Sequence, residues 1–160
     1  ARVHGHAFAG GMGIISACDI AVTSFDAQFC LSEVKLGLVP ATIGPYVVNA
    51  IGYRAARRYM LSAEKFTAAE AYRVGLLHEI APMEKLDVKL DSILSSLVQN
   101  GPKSMDECKK LIESVHARPI SKSMANETAE TIARIRSSPE GKEGINSFLE
   151  KRPPSWQELG

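Results

Sequence analysis

His4-Gly5-His6-Ala7-Phe8-Ala9-Gly10-Gly11-Met12-Gly13-Ile14-Ile15-Ser16-Ala17-Cys18-Asp19-Ile20 is the stretch on which the fold turns. Val3 to Phe8 predicts a short strand, and Gly11 to Ala17 a short helix behind a glycine pair. Ile20-Ala21-Val22-Thr23 and Ala27-Gln28-Phe29-Cys30 predict two further strands around a turn at Asp26. The helix is too short to cross over between parallel neighbours of one sheet. His4 and His6 alternate and would share one strand face. No third ligand is close in sequence, so a structural or surface role is expected for both.

The glycines admit two chemical readings. Gly11-x-Gly13-x-x-Ser16 approaches a dinucleotide-binding fingerprint, with Glu33 standing 20 residues beyond Gly13. A serine at the third glycine and the short helix oppose it. In the second reading, glycines ahead of a short helix free backbone N–H groups that the helix cannot use itself. Aimed at a thioester carbonyl, such donors and the helix dipole would stabilise an enolate. A tight turn that serves packing alone is the plain alternative.

Outward from this stretch the chain changes texture near residue 82. Pro40, Gly44 and Pro45 punctuate a loop, and Tyr46 to Ser62 predicts a helix or a helix pair broken at Gly52. Thr67-Ala68-Ala69-Glu70 fits a capping box opening a helix that stops near Gly75, with a strand at Leu77-His78-Glu79-Ile80. From residue 83 the pattern is helical. Leu86, Leu90, Ile93, Leu94, Leu97 and Val98 form one stripe, and Met105, Cys108, Ile112 and Val115 form a second, read as core. A third helix is expected over about 121–137. A fourth starts at Ser138-Pro139, with serine as cap and proline at the first helical position.

Composition sets the outer limits. The 160 residues are 45% apolar and 23% charged, which suits one soluble globular domain. Nineteen Lys and Arg against 18 Asp and Glu leave a net charge of +1, without the basic excess of a nucleic-acid binder. Arg54, Arg57 and Arg58 therefore read as a solvated face or a subunit contact. No apolar run approaches the roughly 18 residues of a membrane span. Cys18, Cys30 and Cys108 are scattered and predict reduced thiols in a cytoplasmic protein, with neither a disulfide frame nor a metal site. Ser16 and Cys18 have no histidine at a telling spacing for nucleophilic catalysis.

His4 to Gly13 with Ala17-Cys18-Asp19-Ile20 resembles the first signature of the crotonase (enoyl-CoA hydratase/isomerase) superfamily. Phe29-Cys30-Leu31-Ser32-Glu33-Val34-Lys35-Leu36-Gly37-Leu38-Val39-Pro40 resembles the second. Further matches at Gly52, Ala55-Ala56, Leu61 to Glu64, Ala68 to Ala71, Gly75 to Leu77 and Glu143-Gly144-Ile145 run nearly end to end in the family's order. The middle is closest in texture to bacterial methylglutaconyl-CoA and carboxygeranoyl-CoA hydratases. The resemblance implies an α/β fold: the C-terminal part of a ββα spiral core over 1–82, then an all-helical oligomerisation tail over 83–160. With no initiator Met at its start, the chain is expected to be the C-terminal portion of a longer enzyme and inactive alone.

The resemblance also implies a chemistry. Gly10 would supply one oxyanion N–H, and a segment upstream of the first signature would supply the other. Gly10, Gly11 and Gly13 would line the acyl-CoA thioester, with coenzyme A entering as part of the substrate and neither cofactor nor metal required. Hydratases of the reference type use two glutamates. One belongs at Gly13 and is absent; the other matches Glu33, which is expected to be partly buried among Phe29, Cys30, Leu31 and Val34. A lone carboxylate at that second position is the pattern of the family's isomerases. Hydration of a 2-enoyl-CoA is the favoured activity; a single-base double-bond isomerase and a non-catalytic homologue are the alternatives. Gly13 is expected to widen the acyl pocket. Phe148 and Lys151 match the segment that helps hold the CoA of a neighbouring subunit, which implies a trimer or a dimer of trimers.

Overall fold

Gly5 divides what the sequence reads as one strand. In the computed structural model, which describes residues 1–157, Arg2–Val3 forms β1 and Ala7–Phe8 forms β2, and the two belong to different sheets. The chain crosses between sheets at residues 4–6, so His4 and His6 do not share a strand face. His6 accepts the Gln28 N–H at Nδ1 (3.2 Å) and stacks on Phe8.

The crossing repeats. After α1 (Gly10–Ala17), β3 (Val22–Ser24) pairs parallel with β1, and β4 (Gln28–Cys30) pairs parallel with β2. The strands flanking α1 thus lie in different sheets, as its shortness requires. The chain continues through a 3-10 helix (Glu33–Leu36) and α2 (Gly44–Ser62). β5 (Phe66–Thr67) then joins β4 antiparallel, α3 (Ala68–Arg73) follows, and β6 (Glu79–Ala81) joins β3 in parallel. The sheets are ordered β1-β3-β6 and β2-β4-β5. Successive ββα turns winding between two sheets give the expected α/β crotonase-like core. β3, β4 and β6 start one or two residues later than expected, β1 starts one residue earlier, and β5 is too short to show a strand period.

Phe29, Met12 and Val47 are completely buried and join Ile15, Leu31, Ile51, Tyr59 and Phe66 in one core. Phe66 stacks between Phe29 and Tyr59, with ring centroids at 5.8 and 4.1 Å. Burying each such side chain is worth about 1.5–3 kcal/mol. Gly52 breaks α2 as expected, at φ 75° and ψ 162°, a conformation that disfavours any residue with a Cβ. Thr67 caps α3 by accepting the Glu70 N–H (3.3 Å). The capping box stays half-formed, because the Glu70 carboxylate goes to Arg73 and the Tyr59 hydroxyl instead.

The chain packs as two units, Ala1–Ser92 and Ile93–Gly160. The boundary falls within α4 (Leu86–Val98), past the texture change at residue 82. The start of α4 is tied into the first unit: Leu86 is fully buried, Asp87 pairs with Arg2, and Lys89 pairs with Glu79.

In the second unit, α5 (Pro102–Val115), α6 (Lys122–Ser137) and α7 (Pro139–Glu150) follow the end of α4. Ser121 and Ser138 cap α6 and α7 through the N–H groups of Met124 and Gly141, at 3.2 and 3.0 Å. The Glu140 carboxylate caps α5, accepting from Lys103 N, Ser104 N and Ser104 Oγ at 2.7–3.1 Å. Cys108 and Ile112 are exposed, which corrects their assignment to the core; Ile132, Phe148 and Leu149 are exposed too. The last three residues of the tail expected over 83–160 lie outside the described residues. Among the described residues, no helix is long and apolar enough to cross a membrane.

Candidate active site

Parallel pairing of β2 with β4 sets Ala7 beside Phe29 and Phe8 beside Cys30. Ala9 extends the ladder by donating its N–H to the Cys30 carbonyl (2.9 Å). Both strands therefore deliver the chain to one edge of the sheet, the first into Gly10 and the second toward Glu33.

At that edge Ala9 takes φ 46° and ψ −117°, a left-handed conformation rare for alanine. Strain of this kind costs about 1–3 kcal/mol and persists only where its surroundings fix it. Here they do: besides the bond to Cys30, the Ala9 carbonyl accepts from Met12 (2.9 Å) and Gly13 (3.4 Å). Of the four N–H groups that open α1, those two are thereby used. Gly10 and Gly11, the first two helical residues, have no acceptor within the helix. A Cβ on Gly10 would meet nothing within 4 Å, so the space above it is open. Among the described residues neither N–H has a partner, so the turn presents two N–H groups at the positive end of a helix.

Glu33 opens the 3-10 helix after β4 and is half-buried. Among the described residues, three buried side-chain oxygens lack a hydrogen-bond partner: the hydroxyls of Ser16 and Ser24, and Oε2 of Glu33. Only the last is ionisable. A buried carboxylate oxygen left unpaired is costly, so it calls for an explanation, and its lone pairs are open to a proton or a donor on a ligand.

Gly13 lies one turn beyond Gly10 and is buried. A Cβ there would stand 2.6 Å from Ile43 Cβ and closer still to its Cγ2. The volume freed by glycine is filled by Ile43, which corrects the expectation of a widened pocket. Gly10, Gly11, Gly13 and Glu33 all belong to the first unit. Phe148 and Lys151 belong to the second, three residues apart at the end of α7. Phe148 is 82% exposed and Lys151 caps the helix at φ 55°. Arg152 is bound by Glu143 and Glu150, whereas the exposed Lys151 is given no carboxylate among the described residues.

The sequence matches the enoyl-CoA hydratase/isomerase family over residues 1–159. The chain belongs to this family. The crystal structure of an enoyl-CoA hydratase from Shewanella pealeana superimposes with a TM-score of 0.91 at 47% identity, over 95% of this chain and 57% of that one. Enoyl-CoA hydratase AKT6-1 of Alternaria alternata is 39% identical over 69% of this chain and 38% of its own length. The 2,3-dehydroadipyl-CoA hydratase of Escherichia coli is 25% identical over 98% of this chain and 62% of its own length. Among eight curated relatives that it matches, the chain spans between 38% and 62% of their length.

Two features of this enoyl-CoA hydratase/isomerase chain escape sequence reading. The strain at Ala9 shows only once β4 is in place. Ile43 stands thirty residues from Gly13, and no periodicity connects them.

Proposed function

We propose that the full-length protein is an enoyl-CoA hydratase in which Gly10 binds the thioester oxygen and Glu33 carries the proton. The observation that carries this reading is the buried Glu33 Oε2, unpartnered among the described residues, in the 3-10 helix that follows β4, the strand paired with the one that leads into Gly10. In the forward step Glu33 takes a proton from water as its oxygen adds to C3 of a 2-enoyl-CoA. Charge moves onto the thioester oxygen, held by the Gly10 N–H and the helix dipole, and the Glu33 carboxyl then protonates C2. One oxyanion donor is worth about 2.7–4 kcal/mol in the transition state, and one positioned acid–base about 10²–10⁴ in rate. The matched relatives named as hydratases favour this direction.

A specific observation favours a second reading. With Ile43 packed on Gly13, α1 offers no second carboxylate at that position. One base is sufficient for a double-bond isomerase: Glu33 would remove a proton from C2 of a 3-enoyl-CoA and return it to C4 of the dienolate. Supplying 2-enoyl-CoA and 3-enoyl-CoA separately to the full-length protein decides between them. Loss of the conjugated-thioester absorbance from the first is hydration, its gain from the second is isomerisation, and silence on both overturns the proposal.

The absence of a carboxylate at position 13 also suits an acyl group that bears its own carboxylate, since like charges repel. This supports a methylglutaconyl-type substrate on grounds of charge, not of room. Phe148 and Lys151 are read as a clamp for the CoA of a neighbouring subunit, in a trimer or a pair of trimers. The apolar side chains left exposed on α5 to α7 support that assembly.

A further inference from the structure

Gly10 and Gly13 are three residues apart and share one face of α1, about 4.5 Å apart along its axis. That face is open above Gly10, where a Cβ would meet nothing within 4 Å, and closed at Gly13 by the side chain of Ile43. Ile43 is held in place: it immediately precedes α2, its carbonyl accepts the Val47 N–H (3.0 Å), and the adjacent Gly44 N–H bonds to Pro40 (2.7 Å). Its side chain is packed against the core.

We propose that Ile43 determines acyl specificity, as the aliphatic wall that ends the open space above Gly10. The proposal rests on the reading of Gly10 as the thioester site. With the carbonyl oxygen on the Gly10 N–H, C2 and C3 of the acyl chain lie within a helical turn of it, which is where Ile43 stands. Ile43 then limits bulk at C3. It also holds position 13 to a hydrogen atom, since a Cβ there would overlap the isoleucine side chain.

The test is calorimetric binding of two saturated thioesters, butanoyl-CoA and 3-methylbutanoyl-CoA, to full-length wild-type and Ile43→Ala proteins. The expected result is a shift of about tenfold in the affinity ratio toward the branched ester, the scale of one methyl-sized change in an apolar pocket. Ile43→Val should shift it the same way by less, and it serves if the alanine variant does not fold. Equal ratios in wild type and variant overturn the proposal, as does a wild type that binds neither ester. A second readout needs no ligand. Gly13→Ala should lower the melting temperature in the wild-type background and much less in the Ile43→Ala background; equal losses in both overturn the contact. Because both readouts are independent of turnover, a wild type that binds esters yet converts neither enoyl-CoA refutes the proposed function and still allows Ile43 to be judged.

Discussion

Ala9 donates its N–H to the carbonyl of Cys30 at 2.9 Å, continuing the β2–β4 ladder one residue past the last strand pair. This bond holds alanine at a left-handed φ and turns the chain so that Gly10 opens α1 beside the segment leading to Glu33. The two residues read as reactive are thus positioned by one parallel strand pair, not by separate loops.

Replacing Gly10 with valine should abolish turnover without unfolding the protein. The open space above Gly10 admits a side chain, so there is no packing cost in the chain itself. The same side chain blocks a carbonyl from the N–H. A loss of about 2.7–4 kcal/mol in kcat/KM is expected, with a melting temperature close to wild type. Near-normal activity would remove the glycine turn from the mechanism.

Stability should fall at both ends of the pH range, for reasons centred on Glu70. The hydrogen bond from Arg73, reinforced by that from Tyr59, holds the Glu70 carboxyl at about 2 against an ordinary 4.5. A depressed carboxyl stabilises the fold above its unfolded value, so this contribution is present above pH 4.5 and lost as pH falls toward about 2. Arg152 and the Ser155 N–H hold Glu143 at about 2 in the same way. Burial, with the hydrogen bond to Glu70, pushes the Tyr59 hydroxyl from 10.0 to about 12, so its contribution is lost as pH rises through that interval. Chemical unfolding midpoints between pH 5 and 2.5 should drop less steeply in Glu70→Gln than in wild type.

Glu140 should matter to stability and not to chemistry. Its carboxylate takes up two opening N–H groups of α5 and the Ser104 hydroxyl. Glu140→Ala should cost about 0.5–2 kcal/mol, the range for losing a helix cap, measured by denaturant unfolding.

Lys151→Ala should raise KM for CoA esters by at most about fivefold at low salt and leave the corresponding pantetheine esters unchanged. Exposed charge contacts are worth at most about 1 kcal/mol and are screened by salt. An equal effect on both ester types would place Lys151 away from the phosphates.

What could be read from the sequence follows from the range of each interaction. Ser121, Ser138 and Thr67 cap their helices as local rules require, and Gly52 breaks α2 where the pattern falters. Gly10 and Glu33 stand out in the sequence only through the family signatures, because the strand pair that brings their segments together links residues some twenty apart. The capping box failed at Glu70 because tertiary partners, Tyr59 and Arg73, outcompete a local N–H. Cys108 and Ile112 follow a helical stripe, yet periodicity identifies a face without saying what covers it. Gly13 misled for the same reason: glycine shows that something comes close, and only the fold shows that it is Ile43.

In the proposed reaction Glu33 is the proton carrier. Glu33→Gln keeps the size of the side chain and removes the base. In the full-length protein, turnover of whichever enoyl-CoA the wild type converts should fall at least about a hundredfold, the low end for general acid–base catalysis, with an unchanged melting temperature. A Glu33→Gln protein that turns over at near wild-type rate would contradict the account.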